Sequence, residues 1–267
     1  MDESRYIKMI NNNPSIISTI NNPTDEMKLL AIEKDGLTLE YIKNPTREMQ
    51  ELALDNNIRA IRYIEEPTEE MMIKAVNSGW SLLEYIKNPT ENVIKIAVNQ
   101  AGWAIKYAKN PSEELQLLAV RKNYDSIKFI KEPFESTQIE AVKISYDALR
   151  YINQPSRNTE IEAIKNNEAA ISFIRDLNKE KILDFLKENI MVIKYVSKDI
   201  SREELEEVLK QVLSKEDVDE KYVRDFLNCS MIDRNSSNIQ MDKILFIYKY
   251  GSKKAKKIAV DEKLKMI

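Results

Sequence analysis

Small apolar runs recur along the chain at a fixed distance, and the same polar signal opens each one: "NPTDEMKLLAI", "NPTREMQELAL", "NPTENVIKIAV" and "NPSEELQLLAV". Seven prolines, Pro23, Pro45, Pro67, Pro89, Pro111, Pro133 and Pro155, each follow the last by 22 residues. With proline as position 1, position 2 is Thr or Ser in six of the seven units and position 9 is alanine in all of them. Position 10 is Ile, Leu or Val, position 17 is Leu or Ile, and position 19 is always aromatic. A period in the range of about 20–50 residues marks a stack of like units, each too small to bury its own apolar surface.

The columns have a physical sense. Proline ends one element and pushes the residue before it toward extended backbone. The following Thr or Ser caps a new helix, and acidic residues suit that helix's positive end. Apolar positions 5, 9 and 10 share a helical face, and alanine at 9 lets two axes come close. Position 13 is mostly Asn, Asp, Gly or Ser, residues that turn a chain. Positions 16, 17, 19 and 20 then form a second apolar face, with the position-19 rings expected in the core. Each unit therefore reads as a helix of about ten residues, a tight turn, and a second helix of about seven. The strand pattern of a leucine-rich repeat is absent. The expected fold is all-α, a right-handed α-solenoid of short two-helix repeats with an atypical helical C-terminal cap.

The period sets the expected organisation. Residues 1–22 read as a degenerate N-terminal half-repeat, 23–198 as seven to eight helical hairpins, and 199–267 as the helical cap. Past residue 177 the prolines stop, Phe185 takes the alanine place, and "DRNSSN" (233–238) reads as a loop.

The tandem NP(T/S)xE…A(V/I)…(L/I)xYIKN units resemble short helical-repeat proteins of uncharacterised bacterial and phage families, over about residues 20–198. More loosely they are similar to HEAT-like and tetratricopeptide solenoids. The closer resemblance implies architecture; the looser one implies that a macromolecular partner, most often a protein, is held.

Composition narrows the chemistry. No histidine occurs among the 267 residues, which removes the most usual general base and metal ligand. Cys229 is the one cysteine, and no phosphate loop, paired-cysteine zinc motif or H-E-x-x-H exists. The expectation is a non-enzyme without cofactor. A lone cysteine and the absence of a signal-length apolar run place it in the cytoplasm, with no membrane partner. The net charge of −3 lacks the basic excess of a dedicated DNA binder.

Candidate binding residues lie in the second half of each unit. Curvature toward the shorter helices would put positions 18 and 21 on a concave face, where Lys106, Lys109, Lys128, Lys131 and Arg150 form a basic stripe suited to an acidic peptide, an acidic protein face or a phosphate backbone. The bland alternative is lysine complementing a helix dipole. Trp80, Trp103, Tyr124 and Tyr146, at the inter-helix turns, line one edge as interface anchors or base-stacking platforms, or else pack over the seams. Asn44, Asn88 and Asn110 either bond an extended peptide or cap the helix junction. The leading expectation is an adaptor or inhibitor that captures a protein, including a phage-type inhibitor of a host system. Nucleic-acid binding through the stripe is the alternative, and a homo-oligomeric rod joined through the cap is a third.

Overall fold

The computed structural model describes residues 3–264; the outermost two and three residues of the expected end segments lie outside the described residues. The chain divides into two compact parts, Met1–Pro133 and Phe134–Ile267. In the first part the helices are α1 (Glu3–Asn12), α2 (Asp25–Lys34), α3 (Arg47–Asn56), α4 (Glu69–Ser78), α5 (Glu91–Gln100) and α6 (Glu113–Lys122). The second part holds α7 (Glu135–Ile144), α8 (Arg157–Asn166), α9 (Lys179–Glu188), α10 (Ile193–Val196), α11 (Arg202–Leu213) and α12 (Glu220–Asn228). It continues through two-residue parallel strands, β1 (Ile232–Asp233) and β2 (Ile239–Gln240), to α13 (Lys243–Tyr250) and α14 (Lys253–Leu264). Residues 234–238 of the expected loop join the strands, and Asp233 belongs to β1. No described helix is long and apolar enough to cross a membrane.

The fold is an all-α repeat, and it departs from expectation first in the second element. The second element of each proline-headed unit is a six-residue 3₁₀ helix, as in Gly36–Tyr41 or Gly102–Tyr107, whereas after α9 it is the three-residue Ile190–Val192, which runs into α10. In all seven units the position-16 amide bonds the position-13 carbonyl three residues back, as Thr38 does to Asp35 at 3.0 Å, and in four of them the position-13 side chain adds a second bond. Asp35, Asn57, Ser145 and Asn167 each accept a bond from the amide two residues on, which opens a tight turn. At the other end the position-20 amide reaches back three residues, as Ile42 does to Leu39 at 3.1 Å. A segment this short, closed by three-residue turns at both ends, winds as 3₁₀. The expected half-unit at the N-terminus is already a complete pair, α1 followed by the 3₁₀ helix Pro14–Thr19.

The first elements follow the sequence columns. Thr24, Thr46, Thr68, Thr90, Ser112 and Ser156 cap their helices by accepting from the position-5 amide. All seven position-9 alanines are fully buried. Gly36 shows how closely neighbouring units approach, since a Cβ there would lie 2.5 Å from the Ala53 carbonyl oxygen.

The position-19 aromatics are not core, which corrects the sequence reading. Tyr41 is 46% exposed, Phe129 and Tyr151 are each 40% exposed, and the other four are half-buried. The packed layer is made by positions 17 and 20, with small residues at 16, including Ala60, Ala104 and Ser126. One 3₁₀ turn beyond position 16, at the end of the element, the ring emerges into solvent. Ser126 is fully buried and its hydroxyl has no partner. Ser126→Ala, matching Ala60 and Ala104, is expected to raise stability by about 1 kcal/mol, because an unsatisfied hydroxyl is removed at little cost in volume. A rightward shift of the urea midpoint would check it.

Amide side chains join successive units. Asn56 accepts from the Gly36 amide at 2.8 Å and donates to the Glu33 carbonyl at 2.9 Å. Gln100 does the same for Trp80 and Val76, at 3.0 and 2.7 Å. Asn123 accepts from Gly102 at 2.9 Å. In the second part Asn166 donates to Val142 and Lys143, and buried Asn189 donates to Ile164. The C-termini of α2, α4, α7 and α8, with their unpaired carbonyls, are thus finished by the unit that follows.

Candidate binding face

The 3₁₀ helices carry a row of cations laid over aromatic rings. In the first part the Arg62 guanidinium lies 4.3 Å from the Tyr85 ring centre and 6.0 Å from that of Tyr63. The Lys106 ammonium stands 4.8 Å from Tyr107 and 5.6 Å from Trp80, and Lys128 stands 5.1 Å from Phe129. Repetition produces the row: position 18 is outward, position 19 follows it, and each unit sets the pair beside the next. A cation over a ring contributes about 0.5–1 kcal/mol at an exposed site. It also holds a long side chain ready, reducing the entropy lost on binding.

The first part gathers most of the expected site residues. Trp80 joins Lys106. Trp103, 38% exposed, donates its indole N–H to Asp125 at 2.8 Å, and Asp125 also pairs with Lys128 at 2.8 Å. Burial works to raise the Asp125 carboxyl, but the bonds from Lys128 and Trp103 outweigh it and hold the group below its ordinary value. Trp103 therefore staples adjacent units and is less available to a partner than expected. Lys109 reaches back to Asn88 at 3.3 Å, beside a shallow hollow of about 210 Å³. Tyr124 is half-buried and Lys131 exposed, and neither joins the cation–ring row. A larger hollow of about 530 Å³ lies between successive units beside Arg62, Arg59, Ser81 and Tyr85.

Arg150 and Tyr146 belong to the second part, where the same pattern recurs. Arg150 lies 5.1 Å from the Phe173 ring, which stacks on Tyr146 at 6.1 Å. Asp147 stands 3.9 Å from the Arg150 guanidinium. Asn44 has φ 51°, as Asn22 has φ 54°, so asparagine before proline there serves a left-handed bend.

Arg62, Tyr63 and Tyr85 were not among the sequence candidates. Arg62 stood in a column of mixed charge, and the two tyrosines were assigned to the core. A signal was available: a basic residue directly before an aromatic in "IRY", repeated as "IKY", "IKF" and "LRY". Comparison with protein-family models, curated proteins and solved structures finds no match.

Carboxylates between units share one direction of shift. Glu69 receives Thr90 and Asn92, Glu135 receives Ser156 and Asn158, and both are held below the ordinary value chiefly by those hydrogen bonds. A depressed folded pKa gives stability that is complete above the unfolded value and lost as pH falls through the folded one. With no histidine to titrate, the melting temperature is expected to be level from about pH 5.5 to 7.5 and to fall below about pH 4. Calorimetry across that range checks it, and a break near pH 6.5 would contradict it.

Proposed function

We propose that the chain is a non-enzymatic binding module, a right-handed α-solenoid whose 3₁₀-helix face captures a protein partner bearing acidic groups. The cation–ring row carries this reading. Arg62, Lys106 and Lys128 lie along the rings of successive units, so a partner's carboxylates would meet charge while its apolar groups met Tyr41, Tyr63, Tyr85 and Phe129. Aromatic and arginine side chains dominate binding energy at protein interfaces, and rings fixed on short helices lose little freedom when covered. The adaptor or inhibitor role expected from the repeats, including a phage-type inhibitor in the cytoplasm, belongs to the same proposal.

Nucleic acid is the second reading, favoured by rings on which bases can stack beside cations. Against it, Glu40, Glu65 and Glu84 interrupt the face at positions 18 and 21. Such carboxylates repel phosphate and suit a partner of mixed charge.

The test compares the chain with Lys106→Glu/Lys131→Glu, two exposed changes at side chains that form no ion pair among the described residues. A host protein recovered by the parent chain is expected to bind the double variant at least tenfold more weakly. Equal recovery sinks the reading. Steeply salt-dependent binding to a single-stranded oligonucleotide, lost in the variant, decides for nucleic acid.

A further inference from the structure

The last two helices face outward with the wrong side chains for open water. On α13 the buried side is Phe246 and Ile247, and the opposite side presents Ile244, Leu245 and Tyr248, which are 41%, 59% and 73% exposed. On α14 the buried side is Ala255, Ile258 and Ala259, while Val260 and Leu264 are 60% and 64% exposed. The two outer faces meet, because the Lys256 ammonium lies 5.8 Å from the Tyr248 ring centre. Large apolar side chains grouped on one surface mark a place that something covers.

Charge narrows what covers it. Residues 243–264 hold seven lysines against Asp261 and Glu262, a net charge of +5 in a chain whose total is −3. Glu262 is already engaged by Arg224 and Asn228. Lys249, Lys253, Lys254, Lys256, Lys257 and Lys263 form no ion pair among the described residues. A second copy meeting this face symmetrically would set these lysines against their own kind. A phosphate backbone would use the lysines but leave Leu245, Val260 and Leu264 uncovered. Protein interfaces favour arginine and deplete lysine, and this helix pair has no arginine at all.

We infer that α13 and α14 form a docking surface for an anionic lipid bilayer. A bilayer surface can be met without being crossed. Lysines reach the headgroups along their flexible stems, leucine, isoleucine and valine enter the acyl boundary, and tyrosine sits between the two layers. The remaining residues of the chain sum to −8, so the lipid-facing end is selected by charge as well as by apolar contact.

The test uses the full chain in vesicle co-sedimentation, with phosphatidylcholine alone and mixed with phosphatidylglycerol. Binding is expected only to the mixed vesicles, and weaker at high salt. Lys256→Gln/Lys257→Gln is expected to bind about 25-fold more weakly, fivefold for each lysine. Leu245→Ser/Tyr248→Ser is expected to abolish binding; all four side chains are exposed, so circular dichroism should match the parent. No binding to mixed vesicles overturns the inference, as does equal binding to neutral ones. So does self-association, or oligonucleotide binding, that the same substitutions remove. Lys106→Glu/Lys131→Glu is expected to bind vesicles normally, which separates this surface from the protein-binding face.

Discussion

Gly102→Ala is expected to destabilise the first part of the chain by about 3 kcal/mol, although it adds one methyl group. The new Cβ would press into the Ala119 carbonyl oxygen of the next unit even more closely than a Cβ at Gly36 would press on Ala53. Backbone cannot swing aside as a side-chain tip can, so the two units must separate. Overpacking of this kind costs about 1–3 kcal/mol. Separation also stretches the 2.9 Å bond from the Gly102 amide to Asn123, leaving a buried donor unpaired at about 1–3 kcal/mol more. The control is Gly79→Ala. There φ is 172°, ordinary extended backbone, and the added methyl meets only the Ser81 hydroxyl at 4.0 Å. That change should be neutral or stabilising by about 0.5 kcal/mol through the unfolded chain. Urea titrations of both variants check the contrast, and equal midpoints would refute the close approach of units.

Asn189→Ala is the second large loss, expected at about 2–3 kcal/mol. Asn189 is 4% exposed, donates to the Ile164 carbonyl at 2.9 Å and accepts from the Met191 amide at 3.0 Å. Alanine strands an acceptor of one unit and a donor of the next. Asn189→Asp separates the two roles, since it keeps the acceptor for Met191 but faces the Ile164 oxygen with negative charge. It should be at least as damaging as alanine. Hydrogen exchange at the Met191 amide reads the local effect, and unchanged protection in the alanine variant would sink the clamp.

The repeat was legible because it is written in residue types with few structural uses. Proline, a capping Thr or Ser, and an alanine that never varies gave the helix starts and the close-packed face, and Ala31 through Ala163 are all buried. The winding of the second element was not legible, since six residues do not separate a period of 3.0 from one of 3.6. The error at position 19 has a different root. Tyr41 and its equivalents were grouped with the buried residues around them, but each is the last residue of its element, stacked one turn beyond position 16, where the layer made by positions 17 and 20 has ended. The amide clamps were missed for a different reason. Asn56, Gln100 and Asn166 stand at position 12 and Asn123 and Asn189 at position 13, and asparagine near a helix end is already explained by turning the chain. The candidate face was half legible: Lys106, Lys128 and Trp80 came from the columns, while the position-19 rings beside those cations emerged only from the fold.

The amide clamps run one way along the chain, always from the later unit to the earlier. On a ribosome, where the earlier unit emerges first, a newly wound helix keeps bare carbonyls until some 22 residues more have left the tunnel. The growing tip is therefore its stickiest point, and completion sweeps forward one step behind synthesis.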